Sequence, residues 1–580
     1  MNEANLNILD SSLRIGLVAG VSASGISINL SHAGLKSASY HQGGRYGRGE
    51  VGEIVLIEGQ TILTINKIVD IRLPEKERTT LQPQQSKPES IDAIAFLQVL
   101  GSVDIRTLRV TAGVSSYPRI GDIVYSATSE FLSLLPQLTD CDYLNLNEES
   151  IAIDIGSVSD SGLDSVKITP EKLFGRHCAI LGSTGGGKSW TTARLIQECA
   201  KFKNAKLIVL DATGEYRSLP DTYTTHMHLG EPLNKHDHSK PFLIPPTDFE
   251  ESDFLTLFEP SGKVQGPKLR AAIRSLRLAN LAPEASDDGI IKKIRTSKDR
   301  YRSALKKNRN AILVDKPSQP FDVHKLVGQI QQECHYVNGD GSWGNEAANE
   351  VSYCSSLFTR ILGVIHSKSF NSVFSKEKYP SLENTINTFL ESDKQVLRLC
   401  MSSTSYEFNA RQILANVIGR KMLSFSRQLK FSKKPILVVV DEAHNFLGKR
   451  VGVDEYSIKL DSFEIIAKEG RKYGLNLCLT TQRPRDITEG VLSQMGTLLV
   501  HRLTNSNDRE IIERACGEVD KSIISFLPNL KQGELTIVGV DFPIPLTVKV
   551  HKPVPPPFSD SPSYQKLWGA CSDPIDTFMN

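Results

Sequence analysis

Over the first 150 residues, apolar and polar positions alternate in short segments with glycine and proline between them. Ile15–Gly20, Ile54–Gly59, Thr61–Ile71, Ala95–Gly101 and Leu108–Thr111 carry this texture. Strands at such close spacing, with almost no helical period, predict a small antiparallel β-barrel over 1–150. Pro74–Pro88, rich in Glu, Lys, Arg, Gln and Ser, reads as a polar excursion between two of them.

From about residue 165 the texture changes. Cys178–Leu181, Leu207–Leu210, Val396–Met401, Ile436–Val440, Leu477–Thr480 and Leu498–His501 are apolar runs separated by long helical patterns. Continuous rather than alternating hydrophobicity means that both faces are covered, which points to an α/β fold with a mainly parallel sheet. Residues 251–390 form a charge-rich, helix-patterned insertion, so the sheet-forming unit is expected in two parts, 165–250 and 391–552. Glu534–Val540 and Pro545–Val550 predict an edge hairpin, and the proline-rich Pro553–Pro557 opens a tail over 553–580.

A chain of 580 residues is too long for one ordinary core. Its 39% hydrophobic and 23% charged residues suit a soluble protein, and no run approaches the roughly 20 apolar residues of a membrane helix. The start, Met1-Asn-Glu-Ala-Asn-Leu-Asn, has no basic region followed by an apolar one, so a cytoplasmic protein with no membrane partner is expected. Nine scattered cysteines without a CxxC pattern read as reduced and buried. Cys334-His335 stands alone, whereas structural zinc takes about four ligands. A net charge of +2 neither demands nor excludes nucleic acid.

Candidate chemistry sits at the ends of the apolar runs. Gly182-Ser183-Thr184-Gly185-Gly186-Gly187-Lys188-Ser189 matches G-x-x-x-x-G-K-[ST], and it lies between a strand pattern and the helical pattern Trp190–Phe202. Glycines let backbone N–H groups turn inward around phosphate oxygens, and Lys188 neutralises the β- and γ-phosphates of ATP. Ser189 is placed to ligate Mg²⁺, and Trp190 follows as part of the nucleotide site. Asp441 and Glu442 end the β-branched run 436–440; Asp441 is expected to hold Mg²⁺ and Glu442 to polarise the attacking water. Gln482 in Thr480-Thr-Gln-Arg reads equally as a γ-phosphate sensor or a polar strand end. Asp211 in Asp-Ala-Thr-Gly-Glu-Tyr reads equally as a further acid near the metal or a helix-start cap. Arg471, in Glu469-Gly-Arg-Lys-Tyr-Gly, taken alone is an ordinary cation at a helix C-terminus.

The phosphate loop, Asp211–Tyr216, Asp441-Glu-Ala-His-Asn-Phe446, Glu469–Gly474 and Thr481-Gln-Arg-Pro484 occur in the order seen in the HerA family. The chain resembles these RecA-like ATPases of the FtsK–HerA class over nearly its whole length, least in the insertion, and 1–150 is similar to the barrel that opens them. The resemblance implies a homo-oligomer, a hexameric ring with ATP at subunit interfaces, where a neighbour's arginine completes each site. That makes Arg471 a candidate finger acting in trans; such fingers are worth roughly 10³–10⁵ in rate elsewhere.

Two functions follow from that resemblance. One is a ring motor, a translocase or helicase acting on double-stranded DNA. Its support within the sequence is the cation-rich Lys268–Arg309, where Arg270, Arg274 and Arg277 recur at helical spacing, although a solvated helix face is the usual meaning of such a run. Gly448-Lys449-Arg450 is a pore-loop candidate, or a surface loop. The other is a scaffold that activates an effector subunit, a nuclease or a sirtuin-type NADase, as similar ATPases do in antiphage defence; the barrel would dock it. A nucleotide switch with scarcely any turnover is disfavoured by Glu442.

Overall fold

The computed structural model describes residues 8–559, Tyr564 and Trp568, except for 24, 31–38, 42–43, 47–48, 74–92, 140–150, 159–163, 235, 341, 368–369, 375–378, 448–449, 452–457 and 517–520. The polar excursion 74–88 and most of the tail therefore lie outside the described residues.

Among the described residues, the main sheet of the first unit has seven strands, apart from a separate hairpin Ser39–His41 with Gly44–Tyr46: β1 (Arg14–Ser22), β2 (Gly25–Asn29), β3 (Ile54–Glu58), β4 (Ile62–Arg72), β5 (Ile94–Asp104), β6 (Val110–Ala112) and β7 (Ile123–Ser126). The antiparallel order β2-β1-β7-β3-β4-β5 closes through β5 onto β2, giving a six-stranded barrel with β6 added beside β5. Ile15, Val18, Ile26, Ile28, Val55, Ile57, Ile68, Leu97 and Val124 fill its interior, as period-two alternation requires. Its outer side rests on the second unit. Lys67 Nζ lies 4.2 Å from the centre of the Phe526 ring, and Gly101 backs onto Ile544.

The second unit is a twelve-stranded sheet. Its strands are β8 (Ile153–Val158), β9 (Ser165–Ile168), β10 (Cys178–Leu181), β11 (Lys206–Asp211), β12 (Thr224–Leu229), β13 (Lys240–Phe242), β14 (Val396–Cys400), β15 (Ile436–Val440), β16 (Leu475–Thr481), β17 (Thr497–His501), β18 (Glu534–Gly539) and β19 (Phe542–Val550). The order is β9-β8-β19-β18-β17-β10-β16-β15-β11-β14-β12-β13. From β17 to β13 every pairing is parallel. From β17 back to β9 every pairing is antiparallel. The terminal hairpin β18–β19 is therefore interior, because β8 and β9 flank it, and this corrects the expected edge position. The sheet also takes in 153–168, ahead of the change in texture at 165, and gains β12 and β13, whose polar sequences hide them.

The insertion between β13 and β14 is mostly helical, with one short hairpin, His335–Val337 with Trp343–Glu346. Its long helix α1 (Gly262–Leu281) packs on α2 (Leu326–Glu333) around the buried carboxylate of Glu333. That carboxylate accepts from Lys293 Nζ at 2.6 Å, Ser275 Oγ at 2.7 Å and Gln329 Nε2 at 3.0 Å. Arg277 is buried and donates to the Val314 carbonyl. Arg270 pairs with Glu251, Arg274 with Asp315, Arg300 with Asp287 and Lys307 with Glu284. The three arginines read as one contact face are thus divided between core and internal ion pairs.

Candidate active site

The phosphate loop joins β10 to the helix α3 (Lys188–Ala200). Gly185 and Gly187 have φ of +75° and +112°, a region costly for any side chain. A Cβ on Gly182 would lie 2.6 Å from His501 Cβ, and one on Gly187 would lie 3.3 Å from Gly533 Cα. The loop therefore sits directly on the end of β17. Ser183 is pinned there as well, its N–H and hydroxyl each donating to the Arg502 carbonyl at 3.0 Å.

His501 forms the floor of the loop. Its Nδ1–H donates to the Glu534 carbonyl at 2.8 Å, which leaves Nε2 to accept from the Thr191 hydroxyl at 2.8 Å. Burial, with the charge of Lys188 acting in the same direction, lowers its pKa to about 4, so the ring is neutral.

Lys188 Nζ reaches back to the Ser183 carbonyl at 3.0 Å, inside its own loop. Burial lowers its pKa, against the pull of Glu442, Asp441 and Glu215. Those three acids converge on it from two strand ends. Asp441 follows β15, and burial raises its pKa, reinforced by the charges of Glu215, Asp211 and Glu442. Glu442 occupies a left-handed backbone conformation at φ +48°, a strained position for a non-glycine residue. Burial raises its pKa too, with Lys188 opposing. Glu215 accepts from the Ser189 hydroxyl, and burial raises its pKa.

Asp211 does not join them. Its Oδ1 accepts from the N–H groups of Gly214 and Glu215 at 2.7 and 3.1 Å, and its Oδ2 from the Tyr216 N–H and the buried Arg398 Nε at 3.1 and 2.7 Å. The cap reading holds for Asp211, and the turn it builds delivers Glu215 instead.

One oxygen each of Glu215, Asp441 and Glu442 is buried without a hydrogen-bond partner. Buried orphan oxygens are costly unless a ligand, ion or water completes them. Beside a lysine and a serine hydroxyl, they fit a nucleoside triphosphate with Mg²⁺. Among the described residues no three His, Cys, Asp or Glu side chains form a metal cage. Mg²⁺ does not require one, since it usually keeps waters and takes most of its ligands from phosphate.

Gln482 meets the loop directly, its Oε1 accepting from the Thr184 hydroxyl at 2.6 Å. Trp190 lies in the first turn of α3 with Lys552 Nζ 6.0 Å above its ring. Arg471 is elsewhere: it is exposed and precedes the start of β16, close to His177, which precedes the start of β10. Because β10 and β16 are parallel, it stands at the opposite end of the sheet from the loop of its own chain. Gly448 and Lys449 lie outside the described residues. His444 and Thr481 lie inside motifs that the sequence singles out without giving them a role, and His501 reads there only as the end of a strand; the fold brings His501 to the loop and sets His444 between Thr481 and Glu442.

This fold and site define a P-loop ATPase. Residues 153–420 match the family model described as the central domain of helicase HerA, and over that span the chain is similar to that family. A probable helicase of Methanocaldococcus jannaschii, MJECL08, is 24% identical over 514 residues, covering 86% of this chain and 88% of that one. The DNA double-strand break repair helicase HerA of Pyrococcus furiosus is 23% identical, covering 80% and 79%. Among solved structures, VirB4 of Thermoanaerobacter pseudethanolicus aligns with a TM-score of 0.42 and 14% identity over 70% of this chain and 97% of that one. No helix among the described residues is long and apolar enough to cross a membrane.

Proposed function

We propose that this chain is the ATP-hydrolysing subunit of a hexameric ring that moves along double-stranded DNA in the cytoplasm, where both its fuel and its track are found. The observation that carries the reading is the gathering of Glu215, Asp441 and Glu442, each with one buried unpartnered oxygen, around the charge of Lys188, with the Ser189 hydroxyl on Glu215. In this reading the backbone of 182–187 cradles the phosphates, Lys188 neutralises them, and Trp190 lies on the nucleoside side. Ser189 and Asp441 would hold Mg²⁺, which when bound withdraws charge from the phosphate oxygens. Glu442, made more basic by burial, takes the water proton. Gln482 senses the γ-phosphate through its contact with the loop, and the neighbouring subunit's copy of Arg471 completes the site. The curated relatives named as DNA repair helicases support the DNA-directed part.

A second reading is favoured by the internal pairing of the cations of the insertion, which removes several of them as free phosphate contacts. In it the ring mainly gathers an effector, a nuclease or sirtuin-type NADase of antiphage defence, on the barrel. The two are separated by ATP turnover of the size-defined oligomer with and without linear duplex DNA across a salt series, with Lys188→Ala as background. The motor reading expects stimulation that falls steeply with salt. Normal basal turnover with no DNA response overturns it in favour of the scaffold.

A further inference from the structure

The end of β16 and the residue that follows it touch the catalytic machinery on both faces of the strand. Thr480 Oγ1 lies 3.1 Å from the Thr192 hydroxyl on α3, and Gln482 accepts from Thr184 in the phosphate loop at 2.6 Å. Thr481, between them, points the other way, as strand geometry demands, and its hydroxyl lies 3.2 Å from His444 Nδ1. The same Nδ1 lies 3.1 Å from Glu442 Oε2. A continuous path therefore runs from Thr184 through Gln482, Thr481 and His444 to Glu442, entirely outside the backbone that links the loop to β15.

We propose that His444 is a positioning residue that sets the aim of the Glu442 carboxylate according to whether the phosphate loop is occupied. The inference rests on Glu442 polarising the attacking water. The single turn Ala443–Asn445 after β15 buries the His444 ring against the end of β16. With the proton on Nδ1, the ring faces two acceptors, the Thr481 oxygen and the Glu442 carboxylate. The Thr481 oxygen also accepts the Arg483 N–H at 3.0 Å, so 481–483 is held as one local turn that moves together. Glu442 is the loose member: Oε2 is near Nδ1 yet lacks an aligned hydrogen bond, and its backbone is held at φ +48°. A γ-phosphate that draws Gln482 away from Thr184 moves 481–483, shifts the shared proton of His444 and re-aims Glu442. Empty or diphosphate-filled loops leave the acid unaligned, so its aim is restored only when a γ-phosphate is bound.

The experiment compares kcat, KM and binding of a non-hydrolysable ATP analogue for His444→Ala, His444→Asn, Gln482→Ala and the His444→Ala/Gln482→Ala double variant, beside Glu442→Gln. Loss of aim by about an ångström costs up to about 10²-fold, so His444→Ala is expected to lower kcat by about 10–100-fold with analogue affinity unchanged. Asn offers a donor near the position of Nδ1 and is expected to recover part of the loss. The double variant is expected to be no slower than the slower single variant, since both cut one path. Losses that multiply, or a His444→Ala effect confined to analogue binding, overturn the proposal. If His444→Ala does not fold, the same cycle is run with His444→Asn. Normal hydrolysis by Glu442→Gln would instead remove the role of Glu442 itself, whereas an inactive Glu442→Gln with multiplying losses removes only the path through His444.

Discussion

His501 shows how much of the phosphate loop is built from outside it. Gly182 can be only a glycine because His501 Cβ fills the place of its side chain, and the ring ties α3 to β18 through Thr191 and Glu534. Its pKa falls from an ordinary 6.5 to about 4 on folding. Between those values the unfolded chain binds a proton that the folded chain refuses, so the contribution of the neutral ring is complete above pH 6.5 and is lost as pH falls toward 4. That contribution amounts to about 3 kcal/mol at most. Melting temperatures of the native protein and of His501→Gln, measured from pH 7.5 to pH 4.5, are expected to converge as the medium becomes acidic, other groups cancelling in the comparison; a constant gap would contradict it. The loop and Asp441-Glu442 were legible because their spacing is local. The roles of His444, Thr481 and His501 were not, because a turn histidine and two strand-end residues acquire their partners only when the sheet order sets β16 beside β15 and β17 beneath the loop. Asp211 and Glu215 show the same limit: two acids four residues apart, of which the turn geometry alone decides that one is a cap and the other faces Ser189.

Among the elements, α1 looks like a nucleic-acid contact in sequence and is a packing helix in structure. Its cations belong to Glu251, Asp315 and the interior, pairings fixed by residues 19 to 41 positions away and invisible to a helical-wheel argument. Exposed pairs of this kind are worth about 0–1 kcal/mol each. The double variant Arg270→Gln/Arg274→Gln is therefore expected to melt close to the native protein and to keep the salt slope of any DNA-stimulated turnover; a slope flatter by about two would restore these residues as phosphate contacts. The parallel strands were legible where they were unbroken apolar runs. β12, Thr-Thr-His-Met-His-Leu, was not, because its polarity is absorbed by the fold: His228 is buried with its ring bonded to the Gly230 carbonyl and the Ser403 hydroxyl, and Arg398 of the adjoining β14 is buried against Asp211.

For the whole molecule, the distance between Arg471 and the phosphate loop of its own chain has a direct test. Arg471→Ala is expected to bind ATP and lose turnover, and Lys188→Ala to lose nucleotide handling. Mixed rings of the two are expected to regain part of the rate, because some interfaces pair an intact loop with an intact arginine. Absence of recovery in rings verified as mixed would remove Arg471 from the site. The barrel was legible as a class from its alternation, but its closure was not, because the bond between β2 and β5 joins segments about seventy residues apart in sequence. That closure has a consequence for recognition. Among the described residues each of the six strands has a neighbour on both sides, so, apart from the short β6, the closed sheet has no edge strand for a visiting chain to extend. Any protein that docks there has to read side chains and loops, and its selectivity will follow surface substitutions rather than backbone complementarity.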